Sequence, residues 1–467
     1  MRTKVNDNER KPLVPTTPPK TTIKFCGYCN YSMRNIILSG FGFFLVYCGY
    51  YPVQSLVTKI HGQKGFYALG TLYYVYAVSL LFSAAIVRKM GPRASQIFGY
   101  LCYLPFMLSN ISVELWYYLI SAGLLGFGAS LVWTGNGTYL IQLSTKENIG
   151  THTGIFYTMY LAGNLVGNAV TSFLLNTVDT SNGLLFFVLT CFALAGCLEL
   201  LLLGRSDRRL KSQTSEDING NGANEKSESE SNQGSDLIEA SPSSNNSIHS
   251  PKQQEQFLGG DPKKVNELKS VLLEIKKTFV VLQNVQALLC SPLNMIMGIS
   301  VGIVFGFLPP MMEKKKIPIV MLVFGLTDSI GCFLNGKLID KFGIFATALL
   351  SIFFEICSSI ICFFVSSKNE NLFFVIFALF GFGDSGINTL IYPLSYQLFE
   401  NNVQESLSVF KFIRSLSCAS AFLYSNHLSL PANLAILLSL LVLAIICISL
   451  LNFKSQKIGK NDKKTNK

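Results

Sequence analysis

The sequence has few charged residues and few histidines. Only 14% of its 467 residues are Asp, Glu, Lys or Arg, whereas 49% are hydrophobic. Soluble domains carry about 25% charged residues, so this composition excludes an ordinary soluble protein and predicts a multi-pass membrane protein in contact with the lipid bilayer. The four histidines are scattered, and no nucleophile–base group, metal-ligand cluster or phosphate-binding loop is visible. We therefore expect no enzyme, no metal site and no cofactor.

We also expect no cleavable signal peptide, since the first 24 residues contain Lys, Arg, Pro and Asn but no apolar core. The first span is expected to serve as its own insertion signal. Most of the 12 cysteines lie in apolar segments, where cysteine behaves as a small hydrophobic residue, so we expect no disulfide framework. The net charge of +11 is interpreted as cytosolic Lys and Arg beside the membrane, not as a nucleic-acid surface.

Twelve apolar segments are long enough to cross a bilayer. They predict an all-α membrane protein with two six-helix bundles, at residues 34–204 and 289–453. The predicted spans are 35–57, 66–88, 94–111, 115–140, 153–175, 183–203, 289–310, 318–338, 343–365, 371–396, 406–427 and 432–453.

The remaining segments are polar or amphipathic. Residues 205–263 are rich in Ser, Asn, Glu and Gln, which predicts a disordered cytosolic linker. Residues 264–288 repeat apolar side chains every three or four positions and place lysines on other faces, which predicts an amphipathic interfacial helix. The alternative is an elongated start to the seventh span. The tails 1–33 and 454–467 are basic and expected to be cytosolic.

Two short motifs of the first half recur in the second half, and we call these recurrences sequence echoes. Residues 126–130 (Gly-Phe-Gly-Ala-Ser) resemble residues 381–385 (Gly-Phe-Gly-Asp-Ser), and the two stretches are 255 residues apart. Lys89-Met-Gly and Lys341-Phe-Gly are 252 residues apart. The nearly equal separations predict a chain built from two similar membrane halves.

The distribution of Lys and Arg favours cytosolic positions for both termini, although residues 314–316, three lysines, oppose this orientation. The sequon Asn110-Ile-Ser112 then lies on the outer side. Asn110 is therefore a candidate glycosylation site.

Ionisable side chains inside the spans mark the main candidate site. A charge at the bilayer centre is costly and usually faces the protein interior. Asp384 lies in the tenth span, and its surroundings predict either an ion or substrate site or a structural lock between helices. Asp328 and Glu355 are expected to be structural. The candidate polar site comprises Asp384, Lys411, Arg414, Asn388 and Asp328.

The connection between spans eight and nine, residues 336–343, resembles the signature loop of the major facilitator superfamily (G-x-L-x-D-R-x-G). Glycines there permit a tight turn and close helix contact. Asp340 can face a helix N-terminus or a basic neighbour, whereas the first-half copy has Arg88 at the acidic position. The alternative is a charged turn without a gating role. The candidate cytosolic gating loop comprises Gly336, Asp340, Lys341, Gly343, Arg88 and Gly91.

Several motifs together resemble the Unc-93-like proteins, a branch of the major facilitator superfamily. They include residues 34–45, residues 124–134 with Trp133, Gly383-Asp384, and residues 398–400 (Leu-Phe-Glu). The resemblance implies a transporter fold and a role as a regulatory partner of an ion channel in potassium homeostasis, or of a membrane receptor. The plasma membrane is favoured over the endolysosomal membrane.

Two functions remain open. The first is a regulator whose lipid-facing helices dock a partner, with the small-residue face at Gly163 and Gly167 as a docking surface. The second is a secondary-active solute or ion carrier that works by alternating access, with Asp384 near the midplane.

Overall fold

The computed structural model describes residues 31–144, 149–204, 276–365, 371–399 and 402–465. The predicted linker and most of the N-terminal tail lie outside these ranges. Within these ranges, thirteen helices have both ends described and are numbered α1 to α13 in chain order. They span Tyr31–His61, Gln63–Met90, Pro92–Leu101, Tyr103–Ser109, Leu115–Leu143, Ile149–Asn176, Asn182–Glu199, Val285–Val301, Ile317–Phe342, Ile344–Cys362, Asn371–Leu398, Val403–Ser425 and Leu430–Thr465.

Short irregular helical segments follow two of these helices. A 3₁₀ turn at Leu200–Leu202 follows α7, and a π-helical segment at Gly302–Phe307 with a 3₁₀ turn at Pro309–Met311 extends α8. The last helix, α13, continues to Thr465 and passes the predicted boundary at residue 453.

Ten helical segments of the described chain are long and apolar enough to cross a membrane. The all-α membrane fold is therefore confirmed, while the count of twelve stays a prediction. Of the other two predicted spans, the fifth is the 28-residue helix α6, whose polar residues His152, Asn164 and Asn168 lower its hydropathy. The third is divided into the short helices α3 and α4.

The break in the third predicted span has a local cause. Pro105 has no N–H, so the carbonyl of Leu101 loses the donor that a regular helix would supply four residues later. The amide of Cys102 instead lies near two carbonyls, those of Phe98 and Gly99, at 3.3 and 3.2 Å. The segment from Pro92 to Ser109 therefore runs as two helices joined at Cys102.

The two halves repeat the same packing, as the sequence echoes predict. In the first half α5 packs on α2 and α3, and in the second α11 packs on α9 and α10. A Cβ atom at Gly126 would meet the Leu72 carbonyl oxygen of α2 at 2.2 Å, and one at Gly381 would meet the Phe324 carbonyl oxygen of α9 at 2.6 Å. These glycines allow backbones to approach closely at equivalent positions.

The turns after α2 and α9 also match. Gly91 and Gly343 adopt φ values of +82° and +85°, a region that favours glycine. The amide of each donates to a carbonyl four residues earlier, in Val87 and Ile339 respectively. The pair lies 252 residues apart, so the second sequence echo corresponds to a repeated helix cap.

The bundles meet along two seams, α2 against α12 and α6 against α9. Gly70 and Gly325 lie in these seams, and their residue numbers differ by 255. A Cβ atom at Gly70 would come within 2.7 Å of Leu423, and one at Gly325 within 3.0 Å of Asn164. The two seams are therefore related by the same repeat as the bundles.

The prediction that Gly163 and Gly167 of α6 form a docking surface is wrong. Gly163 and Gly167 face α1, where an added Cβ atom would lie 2.7 Å from the Phe44 carbonyl oxygen and 2.2 Å from that of Cys48. These glycines pack α6 inside the first bundle and leave no small-residue face there for a partner.

The segment before α8 is a separate helical piece. Residues 276–282 are helical, and Val281 is buried while Phe279 and Val280 are exposed. Asn284 then caps α8 by accepting a hydrogen bond from the Gln286 amide at 2.8 Å. The seventh span therefore starts anew at Val285, and the predicted part at residues 264–275 lies outside the described ranges.

Candidate functional site

Asp384, Asn388 and Arg414 form a continuous polar chain between α11 and α12. One helical turn separates Asp384 from Asn388, so both side chains lie on the same face of α11. The Asn388 Nδ2 donates to Asp384 Oδ2 at 2.7 Å, and Arg414 Nη1 donates to Asn388 Oδ1 at 2.8 Å. The amide of Asn388 thus links the Asp384 carboxylate to the Arg414 guanidinium.

Two further carboxyl groups lie nearby and are buried. Asp328 on α9 is near enough to Asp384 for electrostatic repulsion, and it accepts a long contact from Cys332 Sγ at 3.9 Å. Glu355 on α10 is fully buried, and its Oε2 accepts a hydrogen bond from Ser300 Oγ at 2.8 Å. The second bundle therefore buries three carboxyl groups from three helices, with Asp328 and Glu355 each within electrostatic range of Asp384.

Two buried carboxylate oxygens of this cluster have no hydrogen-bond partner among the residues that the structure describes. They are Asp384 Oδ1 and Glu355 Oε1. Asp384 also lines a gap of about 10 Å³, together with Ser300, Val301, Val304, Phe324 and Phe380. A gap of this volume holds about one water-sized particle.

Lys411 lies apart from the acids and faces the other bundle. Its ammonium nitrogen lies 5.6 Å from the centre of the Trp133 ring on α5, a cation–π distance. The described neighbour of Lys411 is therefore an aromatic ring of the first bundle and not a carboxylate, and a role for Lys411 in the polar site stays a prediction.

The first bundle presents a tyrosine-rich face toward Arg414. Tyr73 and Tyr160 lie within electrostatic range of its guanidinium. The Tyr157 hydroxyl is 2.7 Å from the Tyr392 hydroxyl of α11, which joins the two bundles directly. Tyr51 and Tyr160 are also hydrogen-bonded to each other. The interface thus combines aromatic rings from one half with ionisable groups from the other.

The predicted gating-loop residues lie near the ends of α2 and α9. Gly91 and Gly343 cap these helices, while Arg88 and Asp340 are exposed. Lys341 lies 5.1 Å from the centre of the adjacent Phe342 ring. A Cβ atom at Gly336 would meet nothing within 4 Å. The glycine caps explain the shape of the loop, and its gating role stays a prediction.

A second group of contacts joins the halves at the other end of the bundles. Lys315 Nζ pairs with Asp179 Oδ1 at 2.8 Å, and Lys314 Nζ donates to Asn182 Oδ1 at 2.8 Å. Asn176 Nδ2 also donates to the Lys315 carbonyl at 3.1 Å. The hydrogen bond and the charge of Lys315 lower the pKa of Asp179 below its usual value. Two of the three lysines that oppose the predicted orientation therefore act as bundle-to-bundle contacts.

Helix α1 adds two contacts between the bundles at the same end as Lys315 and Asp179. Because Pro309 has no N–H, the carbonyl of Phe305 has no donor four residues later. Thr58 Oγ1 of α1 approaches that carbonyl at 3.5 Å, and Lys59 Nζ donates to the Pro310 carbonyl at 3.0 Å. Proline in the seventh span thus exposes main-chain acceptors to the opposite bundle.

The predicted glycosylation residue Asn110 is almost fully buried. Its Nδ2 donates to the Phe106 carbonyl at 2.6 Å, and its Oδ1 accepts from the Tyr118 hydroxyl at 2.8 Å. The nitrogen that a glycan would modify is therefore engaged in this conformation. The geometry favours an unmodified side chain.

Sequence reasoning missed Ser300 and the tyrosine contacts. Serine and tyrosine are common in membrane helices, so neither carries a positional signal by itself. The proline pair at residues 309–310 could have marked irregular backbone in the seventh span. Among the residues that the structure describes, no three His, Cys, Asp or Glu side chains form a metal-binding group.

Comparison with known proteins agrees with this architecture. The family model described as "Ion channel regulatory protein UNC-93" matches residues 57–449. Protein unc-93 homolog A of Bos taurus is 24% identical over 433 residues, covering 88% of this chain and 91% of that protein. UNC93-like protein MFSD11 of Xenopus laevis is 25% identical over 426 residues, covering 87% and 92%.

Among solved structures, a POT family transporter in complex with 5-aminolevulinic acid superposes with a TM-score of 0.63 and 11% identity. The match covers 93% of this chain and 98% of the transporter. At this identity the likeness concerns the fold alone. The chain is a multi-pass membrane protein that belongs to the UNC-93 family.

Proposed function

We propose that the protein is a regulatory partner of another membrane protein, specifically an ion channel that serves potassium homeostasis. The observation that carries this proposal is the match of residues 57–449 to a family described as ion channel regulatory. The orientation we propose has both termini in the cytosol, and the membrane is the plasma membrane.

The packing of the interface agrees with a regulatory role. Contacts join the bundles at one end through Lys315 and Asp179, and hydroxyl groups of Tyr157 and Tyr392 join them elsewhere. The gap beside Asp384 is too small for an organic solute. Outside the bundles, large side chains such as Ile120 and Phe364 are about 70% exposed and suit lipid or a partner helix.

The test is purification of the full-length chain in mild detergent, with stoichiometry determined by mass spectrometry. We expect an ion channel in near-equimolar amount. Its current, recorded in cells that express the channel alone or with the chain, should change when the chain is present. A chain that purifies alone and leaves channel currents unchanged would refute the regulatory role.

A second candidate function is secondary-active transport. The specific observation in its favour is the hydrogen-bonded polar chain of Asp384, Asn388 and Arg414. This polar chain lies where two similar halves meet. Ionisable groups at such an interface are typical of carrier sites.

Flux into proteoliposomes separates the two functions. Carrier activity should be lost in Asp384→Asn, which removes the charge and keeps the side-chain volume. Asp236→Asn in the segment between the bundles is the matched control and should retain full flux. Absence of flux in the wild type for the alkali cations and their common counter-ions would count against transport of those ions.

A further inference from the structure

We propose that Asp384, Ser300 and the main chain at Val304 form a binding site for one dehydrated alkali-metal cation, with Glu355 as the second carboxylate. The inference requires neither a channel partner nor transport, because it concerns binding to the isolated chain.

The unpartnered atoms point to a positively charged ligand. The exposed fraction of Asp384 is 7%, so the residue is 93% buried. Its Oδ1 has no hydrogen-bond partner among the described residues. Glu355 is fully buried and its Oε1 has none either. Both are acceptors, and the Ser300 hydroxyl proton is already directed to Glu355 Oε2. A water molecule would donate to both acceptors but leave their charge unchanged, whereas a cation satisfies the acceptors and offsets their charge.

Glu355 lies directly beside the Asp384 segment. A Cβ atom at Gly383 would be 3.1 Å from Glu355 Oε1. Ser300 joins the two carboxyl groups, because it lines the gap with Asp384 and bonds Glu355. The two carboxyl groups therefore belong to one cluster on α10 and α11, and Ser300 of α8 lies beside both.

The backbone of the seventh span supplies a third kind of oxygen. A helical carbonyl at Val304 would normally accept from residue 308, or from residue 309 in a π-helix. The Leu308 amide donates instead to Ile303 at 2.9 Å, and Pro309 has no N–H. Val304 lines the gap. Carbonyls released where a membrane helix is interrupted are typical ligands for Na⁺.

Charge also favours a cation. The neighbouring ionisable groups are Asp328 on α9 and Arg414 on α12, while Lys411 faces Trp133. With all carboxyl groups ionised, Asp328, Glu355 and Asp384 outnumber the single guanidinium. Burying uncompensated charge is costly, and one bound cation removes part of that cost.

The size and donors limit the class of ion. A gap of about 10 Å³ admits one water-sized particle and no hydrated ion. The atoms available as metal ligands are hard oxygen atoms, which suit alkali and alkaline-earth ions and not soft transition metals. Mg²⁺ usually keeps several waters, and Ca²⁺ takes six to eight oxygen ligands. This small site therefore fits a monovalent ion.

The experiment measures the apparent Tm of the purified full-length protein in detergent across a series of NaCl and KCl concentrations. N-methyl-D-glucamine chloride keeps the ionic strength constant, and pH is fixed. Ligands that bind only the folded state raise stability with their concentration. We expect a saturable rise of about 3 °C or more with Na⁺ or K⁺, and binding of about one radioactive Na⁺ or Rb⁺ per chain.

The rise should disappear in Ser300→Ala, Glu355→Gln and Asp384→Asn. Two matched controls should retain it: Ser130→Ala, a buried serine of the first half that bonds its own helix, and Glu313→Gln, an exposed carboxyl group. If Asp384→Asn fails to fold, Ser300→Ala and ion binding by the wild type still decide the question. Equal Tm values in all three salts, or a Tm that responds to pH alone, would overturn the proposal.

Discussion

Asn388 is expected to contribute more to stability than other buried asparagines, because it joins two ionisable groups. In Asn388→Ala, Arg414 loses an acceptor at 2.8 Å and Asp384 loses a donor at 2.7 Å. Since Asp384 Oδ1 already has no partner, neither oxygen of this carboxylate would then retain a hydrogen bond from a described residue.

The magnitude follows from these two bonds. A polar bond between membrane helices contributes about 0.6–2 kcal/mol, and leaving a buried polar group unsatisfied costs about 1–3 kcal/mol. Direct approach of Arg414 to Asp384 can recover part of the loss. We expect a net destabilisation of about 2–4 kcal/mol, which corresponds to an apparent Tm lower by about 5–10 °C for a bundle of this size.

The assay heats the purified protein in detergent and measures the fraction that stays monodisperse. Asn168→Ala is the matched control, because this buried asparagine bonds only to Asn164 within α6. Its Tm should fall by less. A double variant, Asn388→Ala with Arg414→Met, should be less damaged than the sum of the single variants, since both remove the same bond between helices. Equal losses in Asn388→Ala and Asn168→Ala, with additive effects in the double variant, would refute the reasoning.

Three other outcomes are expected. Gly167→Ala should lower the apparent Tm by several degrees, because its Cβ would lie 2.2 Å from a carbonyl oxygen of α1, whereas Gly137→Ala, with nothing within 4 Å, should not. Glycosidase treatment should leave the mobility of the wild type unchanged and equal to that of Asn110→Gln, and a shift specific to Asn110 would contradict the burial argument. Charge reversal in Asp179→Lys should increase proteolysis near Lys315. The double variant, Asp179→Lys with Lys315→Asp, should return proteolysis to the wild-type level. High salt should remove the difference between the wild type and Asp179→Lys. Because Lys315 lowers the pKa of Asp179, this contact is complete above the usual carboxyl pKa and is lost as pH falls through the lowered value.

The sequence by itself determined the membrane class, the repeat and the position of the interior acid. Apolar segments of about 20 residues have few alternatives to a membrane helix, and ten of them met that expectation. The paired glycine motifs were visible because close helix contact requires the same small residues in each half. Asp384 was evident because a carboxylate in an apolar span is rare and costly.

Tertiary structure alone decided which groups meet. Ser300 and Glu355 are 55 residues apart, and their bond depends on the packing of α8 against the rest of the second bundle. Sequence spacing within a helix predicts neighbours one turn apart, such as Asp384 and Asn388. It carries no information about the rotation of one helix against another, which set the partners of Gly167 and Lys411. Burial is a property of the packed chain, so only the fold could show that Asn110, in an apparent surface sequon, has its amide enclosed.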